Sequence, residues 1–137
     1  MIIALILAIS LFVASVGSHL AILGFGHRLL QKRRDTAAQL GIALLVLGSY
    51  FLVATLFAAG FWLGAQLGLG GFVQIPSMGW MDYFYFSLVN LTTLGLGDIY
   101  PTEHLRLLAG VEALTGFALI SCSAQLFWTM MHEGEKT

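Results

Sequence analysis

Three apolar runs, residues 2–26, 40–69 and 105–131, dominate the chain. Each exceeds the roughly 20 residues that a helix needs to cross the hydrocarbon core of a bilayer. Hydrophobic residues make up 58% of the sequence and charged ones only 9%, against roughly 25% charged in a soluble domain. The expected fold class is an all-α membrane protein with three transmembrane helices. The first run is expected to be retained. A signal peptide opens with basic residues and closes on a small-residue cleavage site, whereas Met1 is followed by Ile2, Ile3 and Ala4, with no Lys or Arg before Arg28.

Charge placement predicts the topology. Arg28, Lys32, Arg33 and Arg34 stand against Asp35, so four basic residues and one acidic leave +3 between the first two runs. Asp82, Asp98 and Glu103 follow the second run before Arg106 appears. Basic loops stay cytoplasmic, which places the amino terminus outside and the tail 132–137 inside, in a multi-pass protein of the cell (inner) membrane. A basic run can also mark nucleic-acid binding, but this one is short and flanked by spans, so no nucleic-acid partner is expected.

The segment between the second and third runs must be explained. Residues 68–80, "GLGGFVQIPSMGW", read as a turret punctuated by Gly and Pro. Residues 81–93, "MDYFYFSLVNLTT", are apolar, aromatic and free of Gly and Pro. As a helix they cover only about 20 Å at 1.5 Å per residue, too little to span. A short apolar segment beside full spans is commonly re-entrant. Irregular backbone at that depth is tolerated only where it is buried in protein or lines a water-filled path. "TTLGLGDIYP", residues 92–101, follows directly. Glycine accepts positive φ without steric penalty, so Gly95 and Gly97 allow peptide planes to alternate until successive carbonyls face one side, with Leu94 and Leu96 packing on the other. Four such ribbons about an axis form rings of oxygens that replace a cation's hydration shell. Thr93 adds a hydroxyl at the inner end, the helix carboxyl end directs partial negative charge at the path, and Asp98 forms an acidic outer mouth that concentrates cations.

These residues resemble the pore module of the potassium channel family, in which Thr-Thr-Val-Gly-Tyr-Gly-Asp corresponds to "TTLGLGD" here; "DIYP" continues the match. The resemblance covers residues 40–131 and is to bacterial channels of the two-helix pore type, with one helix added at the amino terminus. It implies an accessory helix (1–27), a basic cytoplasmic loop (28–39), outer helix (40–67), turret (68–79), pore helix (80–92), filter (93–98), inner helix (103–131) and a short tail. With one pore loop per chain it implies a homotetramer in the lipid bilayer, potassium as the permeant ion, and no other metal, cofactor or small-molecule substrate. The ion-binding residues would be Thr93, Leu94, Gly95, Leu96, Gly97 and Asp98, supported by Phe86, Asn90, Thr92 and Glu112. Leu94 and Leu96 stand where the family has Val and Tyr. Phe86 falls where a Trp would bond that Tyr, so an apolar pair replaces a hydrogen-bonded one. Leucine at the Tyr position also occurs in second pore loops of two-pore-domain potassium channels.

Thr102 is a plausible N-cap for the third span, with Glu103 in its first turn. Gly116 lies where the resemblance places a hinge, although glycine in such helices also serves close packing. Helical steps from Gly116 put Phe117, Ile120, Ala124 and Trp128 on one face, facing the inner pore; the alternative is contact with the outer helix or lipid, and for Trp128 the interfacial belt. Glu112, inside a span, is expensive there. It reads either as a buried, protonated carboxyl bonded to Asn90 or Ser87, or as a proton-sensing gate. His19 is expected to snorkel at the cytoplasmic interface, His104 and His132 sit near span ends, and Cys122 reads as a small buried hydrophobe. The HExxH and GxSxG motifs of intramembrane enzymes are absent, as is the Arg repeat of a voltage sensor. The leading expectation is a non-enzymatic, potassium-selective channel. A nonselective cation channel on the same scaffold and a non-conducting regulatory subunit are the alternatives.

Overall fold

Side chains that find no water must either face lipid or pack on one another, and the helices divide their residues accordingly. The computed structural model describes residues 1–32, 35–75 and 77–133. In chain order it contains α1 (Ile2–Lys32), α2 (Thr36–Gln66), β1 (Phe72–Val73), α3 (Trp80–Leu91), β2 (Tyr100–Pro101) and α4 (Leu105–Glu133). Three of these are long and apolar enough to cross a membrane, over Ile2–Leu29, Thr36–Gln66 and Leu105–Thr129. Helix α1 exposes Ile2, Ile6, Ile9 and Val13 while burying Ala4, Ala8, Ser15 and His19, a helical spacing that puts its small residues inward. Small residues let backbones approach where no hydrophobic drive separates helix from lipid. A Cβ on Gly64 of α2 would lie only 2.7 Å from the Leu105 side chain of α4.

The short helix α3 is seated by aromatic rings. Phe86 meets Phe61 of α2 at 5.0 Å and Phe72 of β1 at 5.1 Å between centroids. Phe72 in turn meets Tyr83 at 5.5 Å. All three pairs are edge-to-face, an arrangement worth about 0.5–1.5 kcal/mol each beyond area burial. Together they hold the turret, the second span and α3 in one apolar core with Phe57, Leu91 and Leu108.

Several sequence boundaries move. Helix α1 runs to Lys32 and α2 starts at Thr36, because Arg28, Gln31 and Lys32 are good helix formers that continue the turn beyond the apolar run. The proposed cytoplasmic loop 28–39 thus shrinks, and its Arg33 and Arg34, like residues 134–137 of the tail and Pro76 of the turret, lie outside the described residues. Helix α3 ends at Leu91 and α4 begins at Leu105, after Glu103 takes φ +48° in the preceding turn.

The turret also carries structure that its sequence does not announce. Strands β1 and β2 pair antiparallel, Phe72 with Pro101 and Val73 with Tyr100. Thr102 does not cap α4. Its hydroxyl accepts the Gly71 N–H at 2.8 Å and lies 3.2 Å from the Gly71 carbonyl, so the side chain is committed to the turret. The backbone adds Thr102 N–H to Gly71 O at 2.8 Å and His104 N–H to Leu69 O at 3.0 Å. His19 does not snorkel but is buried between helices, and Cys122 is exposed on α4 instead of buried.

Gly70 is the position where this bracket depends on glycine: φ is +145°, and a Cβ would overlap the Thr102 carbonyl oxygen. Gly70→Ala should lower the thermal unfolding midpoint, with a cost of about 1–3 kcal/mol for the strained backbone. Gly71→Ala, whose Cβ would meet only the Thr102 hydroxyl at 3.9 Å, should be close to neutral in the same scan.

Candidate functional site

Twelve residues of α3 end in a loop whose conformation follows from how the helix is terminated. At its start the Gly79 N–H donates to Asp82 Oδ2 at 2.8 Å, which places an acid in the first turn where the helix dipole favours it. At its end the Thr93 N–H bonds the Asn90 carbonyl at 3.0 Å and the Leu94 N–H bonds the Val89 carbonyl at 3.1 Å. That crossed pair is a Schellman motif, which requires a left-handed residue just past the C-cap. Thr92 is the C-cap, and Thr93 is the left-handed residue, with φ +58°. Glycine or asparagine normally fills that place; a β-branched residue there is strained. The Thr92 hydroxyl returns to the Leu88 carbonyl at 3.0 Å.

The loop beyond repeats the sign change. Gly95 has φ +54° and Gly97 φ +76°, so every second residue from Thr93 is left-handed, and Leu94 and Leu96 between them are not. On the single chain Leu94 is 63% and Leu96 58% exposed, with no described residue covering that side of the loop. A cavity of about 30 Å³ lies behind it, lined by Phe86, Asn90 and Leu96 among others. Phe86 and Leu96 thus face a common space with no polar tip on either. Asp98, exposed at the end of the loop, accepts a hydrogen bond from the Tyr85 hydroxyl at 2.8 Å. That bond holds the Tyr85 phenol above its ordinary range, so Tyr85 remains the donor. The sequence reading missed Tyr85, whose only signal is a polar tip on the helix that the loop folds back along.

Glu112 sits at 0% exposure on α4. Its Oε1 meets the Ser87 hydroxyl, and its Oε2 accepts Asn90 Nδ2 at 2.7 Å. Asn90 Nδ2 also donates to the Ala109 carbonyl at 2.8 Å, and the Ser87 hydroxyl lies 2.7 Å from the Ala54 carbonyl. The cluster therefore ties α2, α3 and α4 together behind the loop. Ser87 has one hydrogen for two acceptors; both contacts are satisfied together when the carboxyl carries a proton and donates to Oγ.

Along α4, Glu112, Thr115, Gly116, Leu119, Ser123 and Leu126 are buried. Gly116 is therefore not on the face of Phe117, Ile120, Ala124 and Trp128, all four of which are exposed. Where the steps counted from Gly116 put it with them, the backbone turns it inward. A Cβ at Gly116 would overlap the Leu91 carbonyl oxygen at the end of α3, so α4 approaches that helix end as closely as two backbones can. Trp128 stacks on His132 at 3.8 Å between ring centroids.

A family model described as "Ion channel" matches residues 44–133, well over half of the chain, and the chain belongs to that family. The matched residues take in most of α2, the turret, α3, the loop and α4; α1 lies outside them. Over 52 residues, 38% of this chain, it is 35% identical to "Potassium channel K2" of Plasmodium berghei (strain Anka). Over 52 residues it is 33% identical to "Potassium channel K2" of Plasmodium falciparum (isolate 3D7). The matched part is 3% of the length of each of these curated relatives. The protein is a multi-pass membrane protein with a nearly all-helical fold.

The left-handed Thr93 generates a prediction that separates stability from function. Thr93→Asn supplies a residue that accepts this conformation, so the thermal midpoint should rise by an amount equivalent to about 1 kcal/mol. Ion flux into protein-loaded vesicles should fall, because the threonine hydroxyl is replaced by a bulkier amide.

Proposed function

We propose that this member of the ion channel family conducts potassium ions passively through Thr93, Leu94, Gly95, Leu96, Gly97 and Asp98, in a homotetramer embedded in a cell (inner) membrane. The observation that carries this reading is the positive φ at Thr93, Gly95 and Gly97. An alternation of that kind brings successive carbonyls to one side of the backbone, and four copies would surround a dehydrated cation. The potassium-channel names of the two relatives support potassium as the ion. Thr92, Asn90, Phe86 and Glu112 support the loop from behind. Phe117, Ile120, Ala124 and Trp128, exposed on the single chain, would line the inner pore. Gly116 would let α4 bend there. The basic segment 28–39 would face the cytoplasm, the amino terminus the outside, and the permeant ion would be the one bound species, with neither cofactor nor nucleic acid.

A second reading, a nonselective cation channel on the same scaffold, is favoured by one feature: Phe86 and Leu96 share a cavity of about 30 Å³ without a hydrogen bond across it. A filter held only by packing resists widening less than one held by directional bonds. Reversal potentials of the purified protein in planar bilayers under opposed potassium and sodium gradients decide between the two.

The assembly should run as a tetramer in native mass spectrometry from mild detergent; a strictly dimeric protein that still conducts would remove the carbonyl-ring model. Gly95→Ala and Gly97→Ala should both abolish selective conduction. At Gly95 a Cβ would touch nothing within 4 Å, so the whole effect comes from φ +54°; at Gly97 it would also meet the Tyr100 hydroxyl at 2.8 Å. The strain is of order 1–2 kcal/mol per chain, repeated around the ring. Variants that conduct with unaltered ion ratios would contradict the model.

Supplying both polar partners, Phe86→Trp with Leu96→Tyr, should raise potassium preference more than either change alone. A buried hydrogen bond is worth about 0.5–1.5 kcal/mol net, and about 1.4 kcal/mol is tenfold, so four copies reach an order of magnitude or more in the permeability ratio. Purely additive single changes would mean that the two side chains do not meet across the cavity.

A further inference from the structure

The three spanning helices meet in a polar cluster that the loop and its supports do not use. His19 of α1 is 0% exposed. Its Nδ1 lies 2.8 Å from the Ser49 hydroxyl of α2, and its Nε2 lies 3.0 Å from the Ser123 hydroxyl of α4. Ser123 is also 3.2 Å from the Tyr50 hydroxyl, and Ser49 Oγ donates to the Val46 carbonyl at 2.6 Å. Polar groups at this depth are expensive and are kept for function.

Counting hydrogens orders the cluster. The Ser49 hydrogen is used on Val46, so Ser49 can only accept, and Nδ1 must carry the imidazole N–H. In neutral histidine Nε2 is then the acceptor, and Ser123 donates to it. Tyr50 in turn donates to Ser123. The result is one directed chain, Tyr50 to Ser123 to His19 to Ser49 to Val46, with every hydrogen placed. A second proton on His19 breaks it. Nε2 then also donates, Ser123 must turn round to accept from both Nε2 and Tyr50 through its two lone pairs, and its own hydrogen loses the ring as acceptor.

No carboxylate among the described residues lies beside the ring to offset that charge; the Leu119 backbone carbonyl of α4, which also bonds the ring, is a dipole and not a counter-charge. Of the ionisable side chains on the packed helices, α2 presents Tyr50, a phenol that ordinarily ionises near pH 10. Helix α4 presents Cys122, exposed beside Ser123. Glu112 is eleven residues along α4 from Ser123, about 16 Å at the helical rise, and is committed to Ser87 and Asn90. His27 is eight residues further along α1, about 12 Å.

The position is as telling as the chemistry. Helix α4 is held at Glu112 and Gly116 against α3, and again at Ser123, two turns later, against α1. The second hold fixes the part of α4 that follows Gly116. We propose that His19 is a proton-operated latch: neutral, it fastens the part of α4 that follows Gly116 to α1; protonated, it releases that part to move. The effect on open probability rests on the channel reading above, whereas the latch itself does not.

Two measurements on the full chain in lipid vesicles and planar bilayers test this. Nitrogen-15 spectra of the labelled imidazoles, with the His19 signal assigned by its loss in His19→Phe, should show the Nδ1–H tautomer at neutral pH. An Nε2–H tautomer, or a ring already charged there, overturns the latch. Open probability of the wild type should change between about pH 5 and 8, the window in which imidazoles change charge. His19→Phe and Ser123→Ala should both lose that response and show at neutral pH the open probability that the wild type reaches in acid. A flat wild-type profile, or a response that persists in either variant, also overturns it. Should His19→Phe not fold, Ser123→Ala and the tautomer, with the histidine signals then told apart by substituting the other three, still decide the matter. An unchanged reversal potential in the variants separates failure of the latch from failure of the filter, and the spectra need no current at all.

Discussion

Backbone polar groups in the hydrocarbon layer have to find partners within the protein, and the structure is organised around meeting that requirement where the chain leaves the helical state. Four helices meet it internally. The loop after α3 cannot, and its first amides are taken by the helix it leaves: Thr93 by the Asn90 carbonyl, Leu94 and Gly95 by that of Val89. Once those amides are turned back, the chain must reverse its handedness at Thr93, and the two glycines propagate the reversal. The geometry that would present carbonyls to an ion is therefore a continuation of an ordinary helix termination.

What keeps the termination from fraying lies behind it. Glu112, Ser87 and Asn90 join three helices through side chains, and the aromatic rings of Phe61, Phe72 and Phe86 close the same region from the turret side. The two groups of contacts differ in character. The rings supply area without direction, and the polar cluster supplies direction, fixing the register of α4 against α3. Breaking a single partner of such a cluster leaves a buried group unsatisfied, whereas trimming a ring only opens space. On the far side of the loop the Tyr85 bond to Asp98 does the same work at the exposed end.

How much of this is visible in the sequence depends on the range of the interaction involved. The spans are legible because apolar length alone specifies them, and the alternating backbone of the loop is legible because glycines at every second position permit positive φ. Glu112 with Asn90 and Ser87 was anticipated, since a carboxyl in a span needs polar partners and few are at hand. The contacts that were not anticipated are those made by distant residues with common neighbours. His19 meets hydroxyls 30 and 104 residues away, and serines inside apolar runs carry no mark of which helix they face. The strands at Phe72 and Tyr100 are two residues each, too short for any alternation to register. Thr102 looks like a cap because caps are local, and it was drawn instead to Gly71, 31 residues back. The face containing Gly116 was misassigned for a similar reason: helical steps give relative angles, and only the Leu91 contact gives the absolute one.

That contact constrains any bending of α4. A glycine in mid-helix is usually considered for the freedom it gives its own backbone. Here Gly116 is in direct apposition to the Leu91 carbonyl, one residue before the C-cap that starts the Schellman turn into the loop. A bend of α4 at Gly116 cannot leave Leu91 undisturbed, since close-packed backbones do not deform continuously. They either slide to a second packing or carry each other along. Glu112, one turn earlier on the same face, resists the sliding because it is hydrogen-bonded to α3. Motion in the part of α4 beyond Gly116 therefore reaches the end of α3, and through it Thr93. Helix α4 and the loop after α3 act as one mechanical unit, so a change made at either is expected to be felt at the other.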